Sequence, residues 1–196
     1  MNRLLGLLLA VLLAPASMAR EYKIDRNHSN VGFAAPILGG LSKVRGKFTE
    51  FSIQLDFDTE HPEASSIRAV IKPGSIDTGI AERDAHLRAP DFFDAAKFPE
   101  AVFASTRIEK TAAGYVARGR LTIRDVTKEV DLPFVLQGLT EKVDEKGRLE
   151  VLGFTASCTI NRRDFGMDWT HSSDPLFVGD LIDIEITLLT RATRIR

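Results

Sequence analysis

Two short polar strings hold most of the residues able to do chemistry. Arg83, Asp84 and His86 stand close together, and Arg162 and Asp164 form a second pair further on. An aspartate, a histidine and an arginine beside one opening can bind a phosphate or phenol head group, or a metal, and Asp84 with His86 can act as base and acid on a bound molecule. The plainer account, and the preferred one, is that Asp84 and Asp164 hold loops by accepting hydrogen bonds from backbone amides and arginines. His28, His61, His86 and His171 are scattered, with no HxH or HExxH spacing, so no metal and no cofactor is expected. There is no GxSxG, no paired cysteine motif and no phosphate-binding glycine loop, and no residue is assigned a catalytic role. The single cysteine, Cys158, shares an apolar face with Leu152, Phe154, Ala156 and Ile160 and reads as a small buried hydrophobe before a reactive thiol.

The elements that would position these residues are strands. In Gly114 to Arg124 the residues Tyr115, Ala117, Gly119, Leu121 and Ile123 fall on one side, with Val116, Arg118, Arg120, Thr122 and Arg124 on the other. The same division runs through Phe51, Ile53, Leu55 and Phe57, through Val130, Leu132, Phe134 and Leu136, and through Ile182, Ile184, Ile186 and Leu188. Strands are expected near 22–36, 42–58, 65–73, 101–109, 114–124, 129–137, 149–160 and 180–190. Short gaps with turn residues, among them Gly39 and Gly40, Ala113 and Gly114, Asp125 to Lys128 and the charged stretch Glu141 to Arg148, imply antiparallel neighbours. Such strands can stack into a sandwich or close into a meander barrel, and only the barrel offers a lumen. Two segments break the rhythm. Gly74 to Pro99 carries a short helical insertion near 76–90 followed by Phe92, Phe93 and Phe98; Asn161 to Gly179 carries Phe165, Trp169, His171 and Phe177. Both suit a lid or mouth lining, or simply a plug.

The amino-terminal end reads as a secretory leader. Asn2 and Arg3 precede an apolar run from Leu4 to Ala14, and Ser17 and Ala19 supply a cleavage pattern, so residues 1–19 are expected to be removed after Ala19 and residues 20–196 to form one exported domain in the periplasm. The 26 basic and 27 acidic residues are nearly balanced, which argues against a nucleic-acid partner.

Further strings carry a family resemblance. These are Asp25 to Ser29 leading into Val31, Gly32 and Phe33; Val44 to Phe48; Arg83 to Leu87 followed by Asp91 to Asp94 and by Phe98 and Pro99; Gly119 to Ile123 with Thr127, Val130, Leu132 and Pro133; Asn161 to Gly166; and Val178 to Asp180. In their order and spacing the chain resembles the YceI-like family of exported, lipocalin-like, polyisoprenoid-binding proteins, from about Tyr22 to Thr190. The resemblance implies an all-β fold, an eight-stranded antiparallel lipocalin-like barrel, holding a long isoprenoid or related amphiphilic lipid. Relatives are associated with quinone-type, prenyl or fatty-chain molecules, and homodimers occur among them.

Phe51, Ile53, Leu55, Phe57, Leu121, Ile123, Leu132, Phe134, Phe154, Ile182, Ile184 and Ile186 are therefore expected to line or floor the slot, with Phe33, Phe48, Leu87, Phe92, Phe93 and Phe165 near a mouth. Burying each methylene is worth ~0.8 kcal/mol against water. Such a molecule instead leaves a membrane whose tails are equally apolar, so the net transfer is small and the barrel can load and unload through transient membrane contact. A partner-binding barrel without lipid, and an enzyme acting on the held lipid through Asp84 and His86, are the competing readings.

Overall fold

The computed structural model describes residues 20–58, 60–144 and 147–192; residues 1–19, expected to be a leader, lie outside the described residues. The strands are β1 (Arg20–Ile24), β2 (Asn30–Ile37), β3 (Ser42–Phe48), β4 (Phe51–Phe57), β5 (Ser66–Ile71), β6 (Ile76–Asp77), β7 (Ala101–Thr111), β8 (Gly114–Ile123), β9 (Val126–Asp144), β10 (Gly147–Asn161) and β11 (Leu181–Ala192), with one helix, α1 (Ala81–Arg88), between β6 and β7. Hydrogen bonding runs β1-β4-β5-β7-β8-β9-β10-β11 and returns from β11 to β1, which closes an eight-stranded antiparallel barrel. Closure leaves the ring without a free edge.

At one end the sheet continues upward as a half-wall. β11 pairs with β1 through Thr190 to Ala192 and with β2 through Asp183 to Thr187, so β1 and β2 lie end to end along the same neighbour. Beside them β3 and β4 do the same, and β6 extends the lane of β5 by pairing with β3. The strands expected over 22–36 and 42–58 are thus each broken in two, while the one expected over 65–73 is found whole as β5, with β6 following it in the same lane. The breaks stack side by side and bond to one another. The Arg26 guanidinium donates to the Thr49 carbonyl, the Thr49 amide donates to the Ser75 carbonyl, and the Glu50 amide donates to Ser75 Oγ. Ser29 Oγ accepts from the Leu189 amide at 3.0 Å, replacing a ladder bond at the interruption. Asp25 caps the turn through the Asn27 amide, and its hydrogen bond with His28 holds the Asp25 carboxyl below the usual carboxylate range.

Two hairpins also differ from expectation. The charged segment Glu141 to Arg148 is not a loop: β9 runs to Asp144 and β10 begins at Gly147, paired from Gly147 and Asp144 inward. Where the strand is described, from Gln137 to Glu141 and at Val143, successive residues on both faces are exposed, so charged residues can occupy a ladder there. The turn placed at Asp125 to Lys128 shrinks to Arg124 and Asp125, with Arg124 at φ 57.

The end opposite the half-wall is solid. Phe57, 2% exposed, meets Tyr115, Phe134 and Phe154 edge-on at ring separations of 5.4, 6.0 and 5.3 Å, and Tyr115 stacks on Phe134 at 5.2 Å. Tyr22, Leu55, Ile108 and Leu152 complete this floor. Edge-to-face aromatics fill a tapering barrel end densely because each ring edge finds another's face.

Candidate functional site: an apolar lumen

Above the aromatic floor the inward residues stand apart and leave a cavity of about 210 Å³ bordered by 30 side chains. So many neighbours around so small a volume mean a long, thin space. Along β11 alone the wall runs from Ile182 to Leu188, roughly 20 Å at ~3.4 Å per residue. Alternate residues of β11 supply Ile182, Ile184, Ile186 and Leu188, β10 supplies Phe154, Ala156, Cys158 and Ile160, and β9 supplies Val130, Leu132 and Phe134. Leu121 and Ile123 enter from β8, Ile53 and Leu55 from β4, and Val31, Phe33 and Ala35 from β2. At the upper end Phe48, Leu87, Phe92, Phe93, Met167 and Val178 form the mouth. The exposed wall is hydrocarbon throughout.

Both insertions contribute to that mouth. Phe93 packs edge-on to Phe48 at 5.7 Å, and Phe48 lies 5.8 Å from Phe33. Phe92, whose ring borders the cavity, lies 5.5 Å from Trp169, so the segment after α1 and the segment after β10 meet across the opening. Gly46 makes room for Phe33: a methyl there would sit 2.5 Å from the ring.

Of the residues expected at the lumen, Phe33, Phe48, Ile53, Leu55, Leu87, Phe92, Phe93, Leu121, Ile123, Leu132, Phe134, Phe154, Ile182, Ile184 and Ile186 border the cavity. Three do not. Phe57 lies under it, sealed in the floor. Phe51 stands at the stacked breaks, buried, with the Arg26 guanidinium 5.6 Å over its ring. Phe165 packs with Ala101, Ile123 and Met167 in a second buried cluster behind the wall. Residues not anticipated include Phe103, Ile67, Ile71, Met167 and the small side chains Ala35, Ala69, Ala101 and Ala156. Phe103 reaches the lumen over Gly119, where a Cβ would lie 2.6 Å from its ring; a glycine diagonal to an aromatic on the paired strand was the available signal.

The polar strings do structural work at the mouth. Asp84 Oδ1 accepts from the Thr78 amide at 2.9 Å and from the Thr78 hydroxyl, and Arg83 donates to the Thr78 hydroxyl and carbonyl. His86 Nε2 faces Asp91 at 3.2 Å, with its ring against Phe92 and Trp169. Two positions apart on α1, Asp84 and His86 thus have separate partners. Asp164 is exposed on the turn after β10, and the loop is held instead by Arg162 and Asp180. Among the described residues no group of three or more His, Cys, Asp and Glu is placed to hold a metal.

Arg162 is the one charged residue at the cavity wall, and it is 3% exposed. Its Nε donates to the Gly179 carbonyl at 3.2 Å, Nη1 to the Met167 carbonyl and Nη2 to Asp180 at 2.8 Å. Only its aliphatic stem is left for the lumen. Burial pushes the guanidinium below its ordinary pKa while Asp180 opposes that shift. In an Arg162→Leu variant the two carbonyls lose their donor, and we expect a cost of about 2–4 kcal/mol, read as a fall in Tm of roughly 5–15 °C by circular dichroism. An unchanged Tm would show that the loop is held some other way.

Residues 22–189, nearly the whole barrel, match the YceI-like domain family. A UPF0312 protein of Yersinia enterocolitica is 39% identical over 168 residues, which span 84% of this chain and 85% of that one. Among solved structures, BcnA of Burkholderia cenocepacia aligns with a TM-score of 0.72 at 25% identity over 85% of this chain and 98% of its own. A polyisoprenoid binding domain from Saccharophagus degradans shares the fold, with a TM-score of 0.64 at 15% identity over 90% of this chain and 99% of that domain. The match covers the barrel from β1 to β11, and the chain belongs to the YceI-like family.

Proposed function

We propose that this chain is an exported carrier without enzymatic activity that holds a long isoprenoid tail, polyprenyl or quinone-like, in its barrel lumen. The observation that carries this reading is the wall: a thin cavity bordered from floor to mouth by hydrocarbon, with its single charged neighbour turned into a loop. A thin methyl-branched chain matches the shape of that space. The wall offers no exposed polar group with which to fix a compact polar molecule. The Saccharophagus fold relative, described as polyisoprenoid-binding, supports the same ligand class. Asp84 and His86 keep separate structural partners, which favours carriage over chemistry on the guest. The leader at residues 1–19 supports periplasmic residence.

Cys158 gives the test. It borders the lumen, and burial pushes its thiol pKa above the ordinary value of 9.0, so the thiolate is scarce at neutral pH. In the unloaded protein an apolar maleimide should alkylate Cys158 slowly at pH 7 and faster as pH rises. A long-chain polyprenol should suppress that labelling by roughly tenfold or more, since it occupies the path to the sulfur. Labelling indifferent to polyprenol at saturating concentration would remove the chain from this cavity.

A further inference from the structure

At the mouth end the chain between β2 and β3 turns through Leu38, Gly39 and Gly40, whose φ angles are 52, 66 and 94°. This tight reversal thrusts Leu38 and Leu41 outward. The segment preceding Val178 lies against it: the Leu38 amide donates to the Phe177 carbonyl at 3.2 Å, the Gly39 amide to the Leu176 carbonyl at 3.0 Å, and Ile37 bridges Val178. Leu41 is 88% exposed and Leu176 65%, with Leu38 and Phe177 also open to solvent. Four large apolar side chains thus share one exposed tip of paired chain. Its base is the cavity wall itself, through Ala35 on one segment and Val178 on the other.

We propose that this tip inserts into the surface of a lipid bilayer, setting the mouth against the membrane so that a guest passes between bilayer and lumen without crossing water. The proposal rests on the lipid-carrier reading above. Four observations favour lipid over protein as the occupant. The apolar area is on the order of 500 Å², the size of the largest and often functional patch on a monomer, and less than the ~800 Å² each partner contributes to a stable protein pair. Its outward residues are three leucines and Phe177, with Trp169 and His171 behind Phe177 at 6.4 and 4.9 Å, the amphipathic rings that suit the boundary between water and lipid. The Leu38, Gly39 and Leu41 amides already donate within the protein, so entering a hydrocarbon boundary leaves none of these three donors unpaired. No charged residue stands between Ile37 and Leu41 or between Pro175 and Gly179 to oppose entry. The continuity of the tip with the lumen wall through Ala35 and Val178 then gives the docked state a purpose.

The test compares the purified protein with Leu41→Glu and with Leu41→Glu/Leu176→Glu in flotation with phosphatidylethanolamine and phosphatidylglycerol vesicles. Circular dichroism checks the fold, and the single variant is safe on this count because its side chain is almost wholly in water. Flotation should fall by roughly tenfold or more in the double variant, with an intermediate loss in the single one. Polyprenol uptake from vesicles should slow in parallel, while uptake from ethanolic solution should stay unchanged. Equal flotation of parent and double variant, or a parent that does not float, overturns the proposal. So does a variant that shifts a dimer to monomer in sedimentation velocity with flotation intact, because the tip would then belong to a second copy. Failure of the carrier reading looks different: neither protein would take up polyprenol even from ethanol, while flotation would still report docking.

Discussion

An Ala156→Trp variant should lose bound isoprenoid by at least ~100-fold while melting no more than a few degrees from the parent. Ala156 borders the cavity midway along β10, between Phe154 near the floor and Cys158 above it. An indole adds roughly 140 Å³ of side chain, and the open space of about 210 Å³ can take it without displacing the wall. The added ring would replace the guest's contacts with permanent ones, so stability is kept while the site is lost. Thr187→Trp is the matched control. Thr187 is exposed on the outer face of β11, one residue from lumen-facing Ile186 and Leu188, so the same ring there should leave binding intact. Measuring copurified lipid and polyprenol affinity in both variants separates a filled lumen from a merely perturbed strand. Full binding by Ala156→Trp would move the guest out of this cavity.

The largest loss of stability should follow Phe57→Ala. This ring is the hub of the floor, touching three other aromatic rings edge-on. Truncation removes the transfer free energy of a buried phenyl and leaves a void that the surrounding strands, tied by ladders on both sides, close only in part. A cost of about 3–5 kcal/mol is expected, equivalent to a fall in Tm of roughly 10–15 °C for a domain of this size. The variant should also extend the lumen downward, so at low temperature it should still bind polyprenol. A small change in Tm would mean that the floor collapses onto the vacancy and that close packing there is not what seals the barrel.

The barrel was legible in the sequence where one face of a strand is committed to hydrocarbon and the other to charge. In β8 the inward Ala117 and Leu121 alternate with Arg118, which outside bonds Glu109 at 3.0 Å and Asp131 at 2.6 Å across its neighbours. Those outward partners lie on adjacent strands, so the pattern and the pairing agree. The breaks leave a local mark that a continuous strand reading passes over: residues 25–30 are all polar, and the apolar phase shifts between Phe48 and Phe51. What interrupts the ladder is the bond between Ser29 and Leu189, partners 160 positions apart, and no local pattern reports that pairing. The height of each aromatic along the barrel was equally out of reach. Period-two reading puts Phe51, Ile53, Leu55 and Phe57 on one face, correctly, but cannot say which height along the barrel is open and which is filled. Phe51 falls at the bend and Phe57 in the floor, while Ile53 and Leu55 between them meet the lumen. The alanines erred the other way. Ala69 and Ala156 look like fillers in a strand, yet a small side chain facing other small ones is what leaves space for a guest.

The central claim is that the purified barrel carries a prenyl chain inside it. Native mass spectrometry with lipid extraction, applied to protein purified from its own cells without detergent, tests this most directly. The account predicts a mass excess equal to one long-chain prenyl species, which also identifies the head group that waits at the mouth. An empty barrel that rejects added isoprenoids would contradict it and make the chain a partner-binding barrel instead.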